Sequence, residues 1–145
     1  MYTPKYFDVR EFVPPEVYDA RGNKAWELID ERILITADQL REAFGPTIIN
    51  TWHSDNLKKA YGVRKWSGLR TIDFYGTFTA FERSFSQHKY GRAIDCMFSS
   101  YNAERARETI LNEPHEFPYI QAMELDTSWL HVDCRNCEAV KTFRP

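Results

Sequence analysis

Three side chains able to ligate a metal sit in two short segments far apart in the chain. Any fold that uses them together must bring those segments side by side. The first is Ser86-Gln87-His88-Lys89-Tyr90-Gly91-Arg92-Ala93-Ile94-Asp95, and the second, near the C-terminus, is Trp129-Leu130-His131-Val132-Asp133. His88 and Asp95 are seven residues apart, too far for adjacent ligands on one short strand. Gly91 between them permits a tight turn or a close approach of backbone to metal. Ala93 is small, as suits a chain passing through a crowded site. Ile94, Cys96 and Phe98 alternate with Asp95 and Met97, which puts Asp95 on a strand, and Leu130 to Cys134 reads as another. Two neighbouring strands, plus the turn before one of them, would converge His88, Asp95 and His131 on one ion. The set suits zinc, which in catalytic sites takes three protein ligands and leaves a fourth position for water. Zinc lowers the pKa of such a water to about 7. A histidine near an aspartate is also the ordinary mark of a hydrogen-bonded pair, so spacing alone leaves both readings open.

A chain of 145 residues fits one domain with its own core, spanning 1–145. Its net charge of −2 argues against strong non-specific binding to nucleic acid. Lys58, Lys59, Arg64, Lys65 and Arg70 still form a local basic cluster, either a solvated loop or a basic face. No stretch approaches the roughly 20 apolar residues of a membrane span. The opening Met1-Tyr2-Thr3-Pro4-Lys5-Tyr6 lacks the apolar core of a signal peptide, so synthesis in the cytoplasm without an export signal is expected. Cys96, Cys134 and Cys137 are an odd count, which argues against a disulfide framework. Cys134-Arg135-Asn136-Cys137 lacks the helix-start context of a redox motif, and buried thiols on adjacent strands are the simpler reading.

Residues 1–24, with Pro4, Pro14, Pro15 and Gly22, read as an irregular arm packed on the body through Tyr6, Phe7, Phe12, Val13 and Tyr18. The spacing of Ile29, Ile33, Thr36, Leu40 and Ala43 predicts a long helix from about Ala25 to Phe44, stopped by Gly45-Pro46. Thr47 to Trp52 reads as a strand, residues 53–66 as loop, and Asn102 to Leu111 as a short helix capped by Asn102. Tyr119 to Leu125 and Trp129 to Cys134 read as strands. The tally is an α+β fold, a small mixed or antiparallel sheet packed against a long helix.

Hydrolysis at a zinc site also needs a carboxylate to take a proton and a positive group for the substrate. Glu124 and Asp126 are the carboxylates in reach. If Thr127 and Ser128 form a two-residue turn, Asp126 pairs with Trp129, Leu125 with Leu130, and Glu124 with His131. Directly opposed residues share a face, so Glu124 stands beside the ligand and is the general base and then acid. Asp126 is the runner-up. Ser86 and Asp133 are candidates to orient a ligand imidazole. His53 and His115 read as ordinary surface or loop histidines.

The pattern S-x-H-x-x-G-x-A-x-D followed by W-x-H resembles the zinc D-Ala-D-Ala carboxypeptidase family, which includes phage endolysins. Phe7 to Pro15 resembles the opening of that family's C-terminal-domain branch, and Leu40-Arg41-Glu42-Ala43-Phe44-Gly45 resembles its helix and glycine stop. Ser67-Gly68-Leu69-Arg70 resembles the element before the first zinc histidine, with Leu69 in place of an aromatic. The resemblance implies a Hedgehog/DD-peptidase-like fold and Zn2+ held by His88, Asp95 and His131. It implies Arg70 facing the substrate, and a glutamate at the position of Glu124. Other branches put the glutamate where this chain has Ser128, and some relatives use a histidine where it has Asp126. The implied activity is hydrolysis of an amide next to a D-amino acid in peptidoglycan stem peptides or cross-links, as a carboxypeptidase or endopeptidase. A phage lysin or virion-associated wall hydrolase, delivered by a holin or in the particle, fits such a reading. The alternative is a non-catalytic zinc-binding structural or interaction protein of the same fold.

Overall fold

Alternation along two strands decides the architecture. Ile94 and Cys96 on one, Leu130 and Val132 on the other, turn to one face and join the apolar core, while Asp95, His131 and Asp133 occupy the opposite face. The computed structural model describes residues 1–145. It is an α+β fold with six α-helices and a five-stranded mixed sheet. The strands are β1 (Thr47–Ile48), β2 (Ala93–Phe98), β3 (Ala122–Glu124), β4 (Leu130–Asp133) and β5 (Lys141–Phe143), in the spatial order β1-β2-β4-β3-β5. All neighbours are antiparallel except β3 and β5, which run parallel.

The helices are α1 (Pro15–Arg21), α2 (Glu31–Phe44), α3 (Asp55–Tyr61), α4 (Ile72–Tyr75), α5 (Phe78–Arg83) and α6 (Ala103–Asn112). Ile33, Leu34, Ala37 and Leu40 of α2, with Ala106 and Ile110 of α6, meet the strand residues in the core. Each large apolar side chain so buried contributes about 1.5–3 kcal/mol. No helix is long and apolar enough to cross a membrane.

The helix expected from Ala25 is shorter. Gly22–Leu28 is a 3-10 segment, and Asp30 is extended, its carboxylate accepting from the Arg32 N–H to start α2 one residue later. The Asp30 N–H is taken by the Gly91 carbonyl (2.9 Å) instead of a helical partner. The strand expected over Thr47 to Trp52 ends at Ile48, and the expected loop at 53–66 contains α3, started by the Ser54 hydroxyl. Asn102 caps α6 through the N–H groups of Glu104 and Arg105.

The N-terminal residues are also less irregular than expected, with a 3-10 turn at Val9–Glu11 ahead of α1. Phe12 and Val13 are fully buried, and the Val13 carbonyl accepts from the Trp52 indole (2.9 Å). At the N-terminal end, Asp38 of α2 receives the Tyr2 hydroxyl and the Lys5 N–H.

Candidate metal centre

Asp95 on β2 lies directly across from His131 on β4. A 3-10 turn, Gln87–Tyr90, delivers His88 from just before β2. The turn ends at Gly91, whose positive φ of 66° excludes most other residues. A side chain there would also strike the Leu28 carbonyl. The close approach foreseen at this glycine is therefore to the segment before α2, and not to a metal.

Residues 67–70 stitch this turn to the strands. The Asp95 N–H donates to the Ser67 carbonyl (2.7 Å), the Arg70 N–H to the His88 carbonyl (3.1 Å), and the Leu69 N–H to the Phe12 carbonyl (2.7 Å). Gly68 is pressed so close to the Phe12 backbone that no Cβ fits. Its carbonyl accepts from His88 Nδ1 at 2.7 Å. That bond places the proton on Nδ1 and turns the free lone pair of Nε2 toward Asp95 and His131. His131 is oriented the other way. Its Nε2 faces the Asp133 carboxylate (3.2 Å), leaving Nδ1 to face the site.

The three inward atoms form a triangle: His88 Nε2 to His131 Nδ1 is 3.2 Å, His88 Nε2 to Asp95 Oδ1 3.3 Å, and His131 Nδ1 to Asp95 Oδ1 2.8 Å. Tetrahedral zinc with bonds of about 2.0–2.1 Å separates its ligand atoms by about 3.3 Å, so the donor set fits a zinc-sized cation with little rearrangement. All three residues are buried, and they could hold a metal ion as a group of three.

Electrostatics divide the roles. Burial pushes His88 down and keeps it neutral. Burial opposes the charge on Asp95 too, but the His88 and His131 imidazoles outweigh it and hold the carboxyl well below the usual range. For His131, burial again disfavours charge, yet hydrogen bonds to Asp133 and Asp95 raise it to about 9. Without metal His131 is therefore an imidazolium between two carboxylates.

Two arginines flank the triangle. Arg70 Nη2 donates to Asp95 Oδ2 (2.9 Å) and its Nε to the Trp66 carbonyl (2.9 Å), so it steadies the Asp95 carboxylate while lining the cleft. Arg135 grips fully buried Asp133 with two bonds, 2.8 and 2.6 Å, and stacks on Phe143, whose ring meets His131 edge-on. Neither Arg135 nor Phe143 was legible as a site residue. Arg135 lies two positions past Asp133 on a strand end, which was the available signal. Ser86 lines the cleft, but its hydroxyl bonds to none of the three residues, whereas Asp133 holds His131 directly.

The triangle opens into a cleft of about 330 Å³ that also contains Glu124, Gln87 and Trp129. The β3–β4 register pairs Ala122 with Asp133 and Met123 with Val132, and the ladder stops one pair short of Glu124 and His131, although both side chains line the cleft. The hairpin is wider than a two-residue turn, however. The Arg107 side chain enters from α6 and donates to the carbonyls of Glu124 (2.9 Å), Thr127 (2.7 Å) and Trp129 (2.5 Å), which spreads the loop around a guanidinium. In that loop Asp126 has a positive φ of 60° and turns out to solvent, where it pairs with Arg144 (2.6 Å). It is not among the residues lining the cleft.

His53 packs edge-on against Trp52, and exposed His115 pairs with Glu116, both outside the cleft. Cys96 and Cys134 are buried thiols on and just beyond neighbouring strands, and Cys137 is half-buried; none joins the ligand group. Comparison of the chain with protein-family models, curated proteins and solved structures finds no match.

Proposed function

We propose that this chain is a zinc-dependent peptidase of the Hedgehog/DD-peptidase-like type, acting on the stem peptides of peptidoglycan. The observation that carries the reading is the triangle of His88 Nε2, Asp95 Oδ1 and His131 Nδ1, open on one side to a cleft that contains a carboxylate, Glu124. The choice of substrate rests on the motif resemblance. A bound zinc would supply a Lewis acid and an activated water. Glu124, which forms no ion pair with a neighbour, takes the proton of the attacking water and returns it to the leaving amine. Arg70 holds Asp95 through Oδ2, which leaves Oδ1 turned toward the triangle, and as a cation lining the cleft it is the group to meet a substrate carbonyl. Trp129 walls the cleft and limits water.

The test is zinc content by mass spectrometry together with release of new amino groups from purified peptidoglycan. We expect about one zinc per chain, as a three-ligand site predicts, with release that stops on chelation and returns with zinc. Glu124→Gln keeps the zinc and lowers release by at least about a hundredfold, the range for losing a general base. Zinc that stays bound without any release would instead favour the non-catalytic structural reading.

A further inference from the structure

Two lobes of open space meet at one corner of the triangle, where they share Arg70, Asp95 and Trp129. The lobe containing Glu124 is balanced in charge, since its Arg135 is already committed to Asp133. The other lobe, of about 340 Å³, is not. It is bordered by Val63, Arg64, Lys65 and Trp66, and its one carboxylate, Asp95, is paired with Arg70.

Arg64 and Lys65 have no carboxylate of their own. Arg64 gives its Nε–H to the Ile49 carbonyl (3.3 Å) and the Ser67 hydroxyl (3.2 Å), which fixes the guanidinium stem. Lys65 Nζ rests over the Trp66 ring at 5.2 Å. The backbone beneath them is held as well. The Arg64 N–H donates to Thr51 Oγ1 (2.8 Å), and its carbonyl accepts from the Thr51 and Trp52 N–H groups (2.9 and 3.2 Å). A chain of net charge −2 has thus placed two uncompensated cations, on a hydrogen-bonded segment, in a lobe that reaches Asp95 of the triangle.

We infer that this lobe is an anion subsite that takes a carboxylate of the bound peptide, on the side of the triangle away from Glu124. The inference rests on the peptidase reading and adds direction to it: the acidic part of the substrate lies over Arg64 and Lys65, and the ring faces of Trp66 and Trp129 cover its apolar atoms. Guanidinium and ammonium groups facing a carboxylate in a partly desolvated groove form charge-assisted hydrogen bonds, stronger than the neutral ones an amide would make.

Binding to the zinc-loaded Glu124→Gln protein, which keeps the metal but lacks the base, tests this without turnover, read by the fluorescence of the groove tryptophans. The probes are acetyl-D-alanyl-D-alanine, its C-terminal amide, and acetyl-D-glutamyl-D-alaninamide, whose carboxylate is on a side chain. At least one acid binds about tenfold or more tighter than the plain amide, the worth of one charge-assisted hydrogen bond, and which one does so tells a terminal from a side-chain carboxylate. The preference shrinks in 0.5 M salt, where the Debye length falls below about 5 Å. Arg64→Gln/Lys65→Gln abolishes it at unchanged zinc content, and Lys65→Gln alone, at an exposed position, reduces it. Equal binding of acids and amide, a preference that survives the double substitution, or no saturable binding of any probe overturns the inference. A clear acid preference in a protein that releases no amine from any wall would leave the subsite standing and remove the peptidase reading.

Discussion

Asp133 is the residue on which the geometry of His131 depends. Its carboxylate is fully buried, faces one imidazole nitrogen and is gripped from behind by Arg135, so the imidazole cannot rotate without breaking a charged network. Groups that hold a metal-binding histidine in this way are worth about 10–100-fold in metal affinity. We expect that loss in Asp133→Asn, measured by competition with a chromophoric chelator, with the circular dichroism spectrum retained. Proton bookkeeping gives a second outcome. With His88 neutral, Asp95 ionised and His131 held at about 9, zinc binding at pH 7.5 must displace one proton, that of His131. Calorimetry in buffers of different ionisation enthalpy should return about one proton released. In the metal-free chain the same proton stabilises the fold. A histidine held above its ordinary 6.5 contributes fully below about that pH, and the contribution fades as pH rises through about 9. The urea midpoint of metal-free protein should therefore fall between pH 6.5 and 9.5. His88, Asp95 and His131 were legible because strand alternation and one glycine turn are local rules. Arg135 was not, because its partner is set by the way a strand ends.

At the scale of elements, the loop between β3 and β4 shows where local rules stop. The pairs Ala122–Asp133 and Met123–Val132 have the register expected of the hairpin, although the two-residue turn assumed for it does not form. The loop itself was not legible, because its shape is set by Arg107, on a different element and 17 to 22 positions before the carbonyls it binds. A buried arginine at the inner face of a helix carries no sequence mark of the carbonyls it will bind. Arg107→Met should leave the Glu124 and Thr127 carbonyls short of a donor, the Trp129 carbonyl keeping the Thr127 hydroxyl, and destabilise the fold by about 2 kcal/mol or more, at 1–3 kcal/mol for each buried group left unpaired. The denaturant midpoint and the zinc content read this separately, since the triangle itself lies on β2, β4 and the His88 turn. β5 was also illegible. Two of its three residues are exposed, so no apolar alternation marks it, and it pairs with β3 in parallel. The expected helix from Ala25 was an error of a different kind. Apolar spacing ran on through a 3-10 segment, and the capping aspartate at position 30 was the signal that should have divided it. Gly91→Ala tests the turn that delivers His88. It combines a positive φ with a blocked Cβ and should cost about 1–3 kcal/mol, read in the same denaturation assay.

For the molecule as a whole, the fold class followed from composition and periodicity, while the mixed sheet order did not. A parallel β3–β5 pair depends on the path of residues 134–140, which carry no regular pattern. An ion that binds only the folded chain adds stability by mass action, about 4 kcal/mol at a thousandfold excess over Kd. For a domain of this length each kcal/mol moves Tm by about 2–4 °C, so saturating zinc should raise Tm by about 10 °C. Scanning calorimetry with and without chelator checks it. The buried guanidinium of Arg107 has one more consequence, for the order of folding. Because the arginine is carried by α6 but bonded by the loop that follows β3, that loop cannot hold its shape until α6 has docked. The rim of the cleft that presents Glu124 is thus tied to α6, and hydrogen exchange should show its amide protons opening together with that helix, while those of the β2–β4 ladder stay protected.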